Sequence, residues 1–131
     1  MTARPASPLA LIVDHDLGFV MWLGEVLTEL GWQTVPALHC RQALALSKRL
    51  QLPIKTLLLD PDLPGAARAI KTLVTANPGL RVVLIRDSPA QPACGKPILA
   101  CREAILARPA PWQSISRPEW IDKVRRVLTA G

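Results

Sequence analysis

Cysteine is scarce in this 131-residue chain, which has only Cys40, Cys94 and Cys101. None forms a C-x-x-C pair, and an odd number does not build a disulfide framework. Three packed thiols in a reducing compartment are expected. Long apolar runs are also missing. The run near the N-terminus, Leu9 to Val13, is too short for a signal peptide or a membrane span, so a cytoplasmic protein without membrane association is expected. There is no arginine-rich arm and no Cys/His finger. Acidic residues are few: 10 against 16 Lys and Arg, a formal net charge of +6. A basic balance can mark a nucleic-acid or acidic partner. Here, however, Arg41, Lys48, Arg49, Lys55, Arg68, Lys71 and Arg81 are dispersed among apolar residues. Only Lys123, Arg125 and Arg126 cluster, so nucleic-acid binding is not expected.

Half of the residues are hydrophobic, enough for one core in a chain of this length. Residues 1–8 read as a tail and residues 9–131 as a single domain without linker or repeat. Leu9 to Val13 is a short buried strand. Asp16 is a plausible N-cap for a helix to about Leu30, in which Phe19, Leu23, Val26 and Leu30 recur at helical spacing. Gly31 ends that helix. Trp32 to Val35 reads as a strand, and His39 to Leu50 as a helix. Thr56 to Leu59 is a third strand, and Ala66 to Ala76 a helix stopped by Asn77-Pro78-Gly79. Arg81 to Ile85 is a fourth strand, and Ser88 to Pro97 an irregular proline-rich loop. Ile98 to Ala107 reads as a helix and Trp112 to Ser116 as the fifth strand. A last helix opens near Pro118 and Glu119, with Ile121, Val124 and Leu128 on its buried side.

The pattern is a strand and a helix, five times over. Nearly continuous apolar strands are buried on both faces. The expected fold class is therefore α/β: a five-stranded parallel sheet, doubly wound as (βα)5. In such sheets ligands bind beyond the carboxyl ends of the strands, at the switch in strand order. Five of the ten acidic residues stand at three such ends: Asp14 and Asp16, Asp60 and Asp62, and Asp87. Clustered carboxylates repel unless a cation or protons offset them, and oxygen ligands of this kind suit Mg²⁺.

The stretch Leu59-Asp60-Pro61-Asp62-Leu63-Pro64-Gly65 resembles the phosphoacceptor loop of response-regulator receiver domains in two-component signalling. Val13-Asp14 is similar to the family's first acidic position, and Arg117-Pro118 stands where the family has Lys-Pro. The resemblance runs from about Leu9 to Leu128 and implies a flavodoxin-like fold. It also implies phosphorelay chemistry: Asp60 accepts a phosphoryl group from a sensor histidine kinase or phosphotransfer protein, forming an acyl phosphate. Asp14, Asp16, Asp60 and Asp62 are its candidate Mg²⁺ ligands, Asp62 through its backbone carbonyl. The only reaction implied is modification of Asp60 itself, with no turnover of an external substrate.

Three departures stand out. His15 replaces a second acid, and imidazole is a poor Mg²⁺ ligand. Arg86 replaces the family's Thr or Ser at the end of strand 4, with Ser88 two residues late. Arg117 replaces Lys, keeping the charge on a wider planar group. Ser114 stands where the family commonly has a switch aromatic. Either Arg86 or Arg117 is therefore expected to pair with Asp60 without phosphate, which makes a pseudo-receiver, a protein-interaction module, the alternative to an active phosphoacceptor. A downstream protein partner follows in both readings. Trp112 and Trp120 mark strand 5 and the last helix as a possible homodimer face. Asp60-x-Asp62 also resembles haloacid-dehalogenase hydrolases, but Pro64 stands where those have Thr or Val.

Overall fold

A computed structural model describes residues 7–50, 52–87, 104–109 and 115–129. Strands β1 (Leu9–Val13), β2 (Gln33–Ala37), β3 (Thr56–Leu59), β4 (Arg81–Arg86) and β5 (Ala104–Ala107) form one parallel sheet in the order β2-β1-β3-β4-β5. Helices α1 (Leu17–Glu29), α2 (Cys40–Arg49), α3 (Ala66–Ala76) and α4 (Arg117–Thr129) cover it. This is the doubly wound parallel α/β architecture expected from the apolar strands.

Strand alternation divides the core in two. Leu9, Leu11, Val13, Leu57, Leu59 and Leu84 face α2 and α3, meeting Ala43, Ala69, Ile70 and Leu73. Ala10, Ile12, Leu58, Val83, Ile85 and Leu106 face α1 and α4, meeting Phe19, Leu23, Val26, Trp120 and Val124. The central strands β1, β3 and β4 are buried on both sides because helices lie on both sides, and the edge strands β2 and β5 are partly exposed.

Local signals act where the sequence places them. The Asp16 carboxylate accepts the Phe19 N–H at 3.2 Å and caps α1. Gly31 and Gly65 take φ of +95° and +80°, the left-handed region a side chain disfavours. Gly31 leaves α1, and Gly65 opens α3. After α3, the buried Asn77 side chain donates to the Leu73 carbonyl and accepts the Ile54 N–H, both at 2.9 Å. It thereby ties the end of α3 to the segment entering β3. Asn77→Ala strands the buried Ile54 N–H, while the Leu73 carbonyl keeps the backbone N–H of residue 77, and is expected to lose about 2 kcal/mol in urea unfolding.

The C-terminal third differs from the expected layout. Ala104–Ala107, expected to end a helix, is β5 and pairs with Val83 through Arg86. A four-residue apolar run has no reliable period, and the open side of β4 needs backbone partners that a helix cannot supply. Of the expected strand Trp112 to Ser116, residues 112–114 lie outside the described residues, and Ile115 and Ser116 are not strand. Residues 1–6 of the tail, Cys94, Cys101, and the segment from Ser88 to the start of β5 also lie outside them. Cys40 is a buried free thiol. Among the described residues no helix is long and apolar enough to cross a membrane.

Candidate functional site: a carboxylate pocket closed by arginine

In the order β2-β1-β3-β4-β5 the strand order reverses between β1 and β3, with successive strands added on opposite sides of β1, so a crevice opens at the carboxyl ends of these two parallel strands. Asp14 follows β1 and Asp60 follows β3. Their backbones are anchored by the sheet, with Asp14 N–H donating to Ala37 O and Asp60 N–H to Val13 O. Asp14 is fully buried and Asp60 is 7 % exposed. Two buried carboxylates side by side require compensation.

Arg108 supplies it. It follows β5 directly, and its backbone N–H donates to Arg86 O at 2.6 Å. Its guanidinium grips Asp14 with two bonds, NH1 to Oδ1 at 3.1 Å and NH2 to Oδ2 at 2.6 Å. The same NH2 reaches Asp60 Oδ2 at 3.5 Å, and Nε lies 3.2 Å from Asp87 Oδ1. The guanidinium also stands 4.8 Å from the Phe19 ring centroid, a cation–π contact. One planar cation thus links three of the acidic strand ends.

Backbone donors complete the shell. Asp14 Oδ1 accepts the Asp16 N–H, and Asp60 Oδ1 accepts the Asp62 N–H, each at 2.9 Å. The exposed His15 places Nδ1 3.7 Å from one oxygen of each carboxylate. Burial pushes the Asp14 carboxyl above its usual range. The Asp16 N–H and Arg108 oppose that rise, Asp60 adds to it, and His15 weakly opposes it. Burial and the Asp60 charge also push the Cys40 thiol up, so it stays protonated and unreactive.

The sequence-expected residues divide clearly. Asp14 and Asp60 come together. Asp16 does not join them as a ligand, because its carboxylate caps α1. Asp62 is exposed and meets the pocket through its backbone N–H. Arg86 ends β4, forms no ion pair among the described residues, and keeps a buried Nε without a hydrogen-bond partner there. The expected position of Arg117 is corrected. It opens α4, exposed, and pairs with Glu29 at 2.7 Å and Glu25 at 3.8 Å, away from Asp60. Arg108-Pro109 is the dipeptide that follows the fifth strand, and its arginine plays the part expected of Arg86 or Arg117. Three Arg-Pro pairs exist in the chain, Arg4-Pro5, Arg108-Pro109 and Arg117-Pro118, and of the two in the C-terminal third only Arg108-Pro109 directly follows an apolar run on a strand. The position three residues before the arginine is then Ile105, 48 % exposed, rather than Ser114, which lies outside the described residues.

Asp14, His15 and Asp60 offer three possible metal-ligand atoms within 4.8 Å of one another. The set does not fit Mg²⁺. Both Asp14 oxygens are engaged by Arg108, one Asp60 oxygen by backbone, and the third donor is an imidazole. A divalent ion there would have to stand beside a guanidinium already bonded to its ligands.

This arrangement, a doubly wound five-stranded sheet with an acidic pocket at its β1/β3 switch point, is the fold of response-regulator receiver domains. A receiver domain from Methylobacillus flagellatus is 19% identical with a TM-score of 0.69, covering 95% of this chain and 98% of that one. The chemotaxis response regulator CheY4 of Vibrio cholerae is 17% identical with a TM-score of 0.64, covering 93% and 99%. The BeF3-activated DrrB receiver domain is 17% identical with a TM-score of 0.67, covering 94% and 98%. No protein-family model and no curated protein matches the sequence.

Proposed function

We propose that this chain is a receiver-fold signalling module that acts by binding protein partners and does not transfer phosphate. The observation that carries this reading is the Arg108 guanidinium, bonded twice to Asp14 and reaching Asp60. In a phosphoaccepting pocket the carboxylate nucleophile must be free to meet phosphorus, with cationic charge held for the incoming phosphoryl group. Here the cationic charge is already spent on the carboxylates. His15 and Arg86 stand where an acid and a small hydroxyl would serve that chemistry. The pocket is thus a structural crosslink between β1, β3 and β5 that holds one conformation.

Regulation in this reading comes from partner binding or from expression level, in the cytoplasm. A sensor kinase or phosphotransfer protein is at most a docking partner. For a downstream partner or a second copy, the edge strand β5 offers the exposed Ile105. Trp120 does not belong to such a face, because it is fully buried.

The test is intact-mass spectrometry after incubation with acetyl phosphate and Mg²⁺, beside Asp60→Asn. The native chain is expected to gain no phosphoryl mass, and titration with Mg²⁺ to leave its tryptophan fluorescence unchanged. An adduct on the native chain that is absent from Asp60→Asn would establish Asp60 as a phosphoacceptor and overturn the proposal.

A further inference from the structure

The fold gathers on one face cations that are scattered in sequence. Arg41, Lys48 and Arg49 are exposed on α2, Arg68 and Lys71 on α3, and Lys55 at the entrance to β3. Helices α2 and α3 lie side by side on the same side of the sheet. Neither contains an acidic residue. Among the described residues, none of the six side chains has an ion pair or hydrogen bond. The opposite layer is different in kind. There Glu25 and Glu29 on α1 hold Arg117, and Asp122 holds Arg126 at 2.8 Å. Among the described residues the unpaired positive charge is therefore concentrated on the α2/α3 side.

We propose that the α2/α3 face binds the phosphate backbone of double-stranded nucleic acid without sequence preference. The chemistry of the face favours this occupant over a folded protein. A protein interface is anchored by large apolar or aromatic side chains, especially Trp and Tyr. Neither α2 nor α3 carries an aromatic residue, and the large hydrophobic side chain they expose is Val74, 37 % exposed. Repeating phosphates require only spaced cations free to release counterions, as these six are. The proposal is independent of the chemistry at Asp60, because none of the six residues belongs to the carboxylate pocket.

The experiment is fluorescence anisotropy with a short labelled DNA duplex of mixed sequence, using the whole chain. With about five phosphates neutralised, log affinity is expected to fall against log salt with a slope of about −4.5. Arg68→Glu with Lys71→Glu on α3 is compared with Lys123→Glu and Arg125→Glu on α4, which makes the same change in net charge. The α3 pair is expected to weaken binding at least about tenfold and reduce the slope by about 1.8, with the α4 pair changing it far less. Circular dichroism confirms that each variant is folded. Equal loss from the two pairs, or no binding at about 50 mM salt, overturns the proposal. Tighter binding to polyglutamate or to phosphatidylglycerol vesicles than to the duplex also overturns it, in favour of an acidic protein or an anionic membrane.

Discussion

Arg108→Met is expected to lose about 3 kcal/mol of folding stability at neutral pH, read by urea unfolding. The substitution keeps an apolar stem against Phe19 but removes the cation from two carboxylates, one of them fully buried. Leaving a buried charge without its partner is what makes the loss large. Arg108→Lys keeps the charge but not the two-bonded grip, and should fall between the two. Adding Asp14→Asn to Arg108→Met should recover much of the loss, because the orphaned charge goes with its partner.

The pH dependence follows from the sign of the Asp14 shift. Its folded carboxyl titrates above 3.8, so the folded state holds this proton more tightly than the unfolded chain does. Asp14 therefore lowers stability as pH rises from 3.8 through its raised folded value, and above that its contribution is constant. Removing Arg108 raises the folded value further. The deficit of Arg108→Met should then be small in acid and grow toward neutral pH. A deficit that does not change with pH would mean that the arginine acts through packing and not through charge.

Trp120→Ala should cost about 4 kcal/mol, the largest effect of any single truncation considered. Trp120 is fully buried on α4. It stacks on Trp22 with ring centroids 4.3 Å apart and planes 3° from parallel, and it meets Phe19 at 5.9 Å. This aromatic group joins α4 to α1 over the sheet, and Phe19 continues it to Arg108. Truncation therefore opens a cavity at the joint between two helices. Trp120→Phe should cost much less, because it keeps a ring there and removes an indole N–H with no hydrogen-bond partner among the described residues. Near-UV circular dichroism gives an independent readout, since loss of the stacked pair should remove its strong tryptophan signal.

Much of this protein was legible along the chain. The four strands from Leu9 to Arg86 and the three helices between them lie where apolar runs, the Asp16 cap, Gly31 and Asn77-Pro78-Gly79 put them. These are local signals, set by dihedral preference and burial within a few residues. Asp14 and Asp60 were legible for a similar reason. A polar residue that ends a doubly buried strand must lie at the rim, and the switch between β1 and β3 brings those two rims together.

The remainder required the tertiary structure. Ala104–Ala107 reads equally well as the end of a helix, and only the unpaired edge of β4 makes it a strand. That choice puts Arg108 in the pocket and sends Arg117 to the glutamates of α1, two arginines that are indistinguishable by their Arg-Pro context. Arg41, Lys48, Arg49, Lys55, Arg68 and Lys71 look dispersed because sequence distance says nothing about which helices share a side of the sheet. The chain by itself determined its fold class and its two buried carboxylates, because both follow from burial, which is written locally. The partner of those carboxylates and the side on which the positive charge collects were decided by packing, because each depends on residues far apart in the chain.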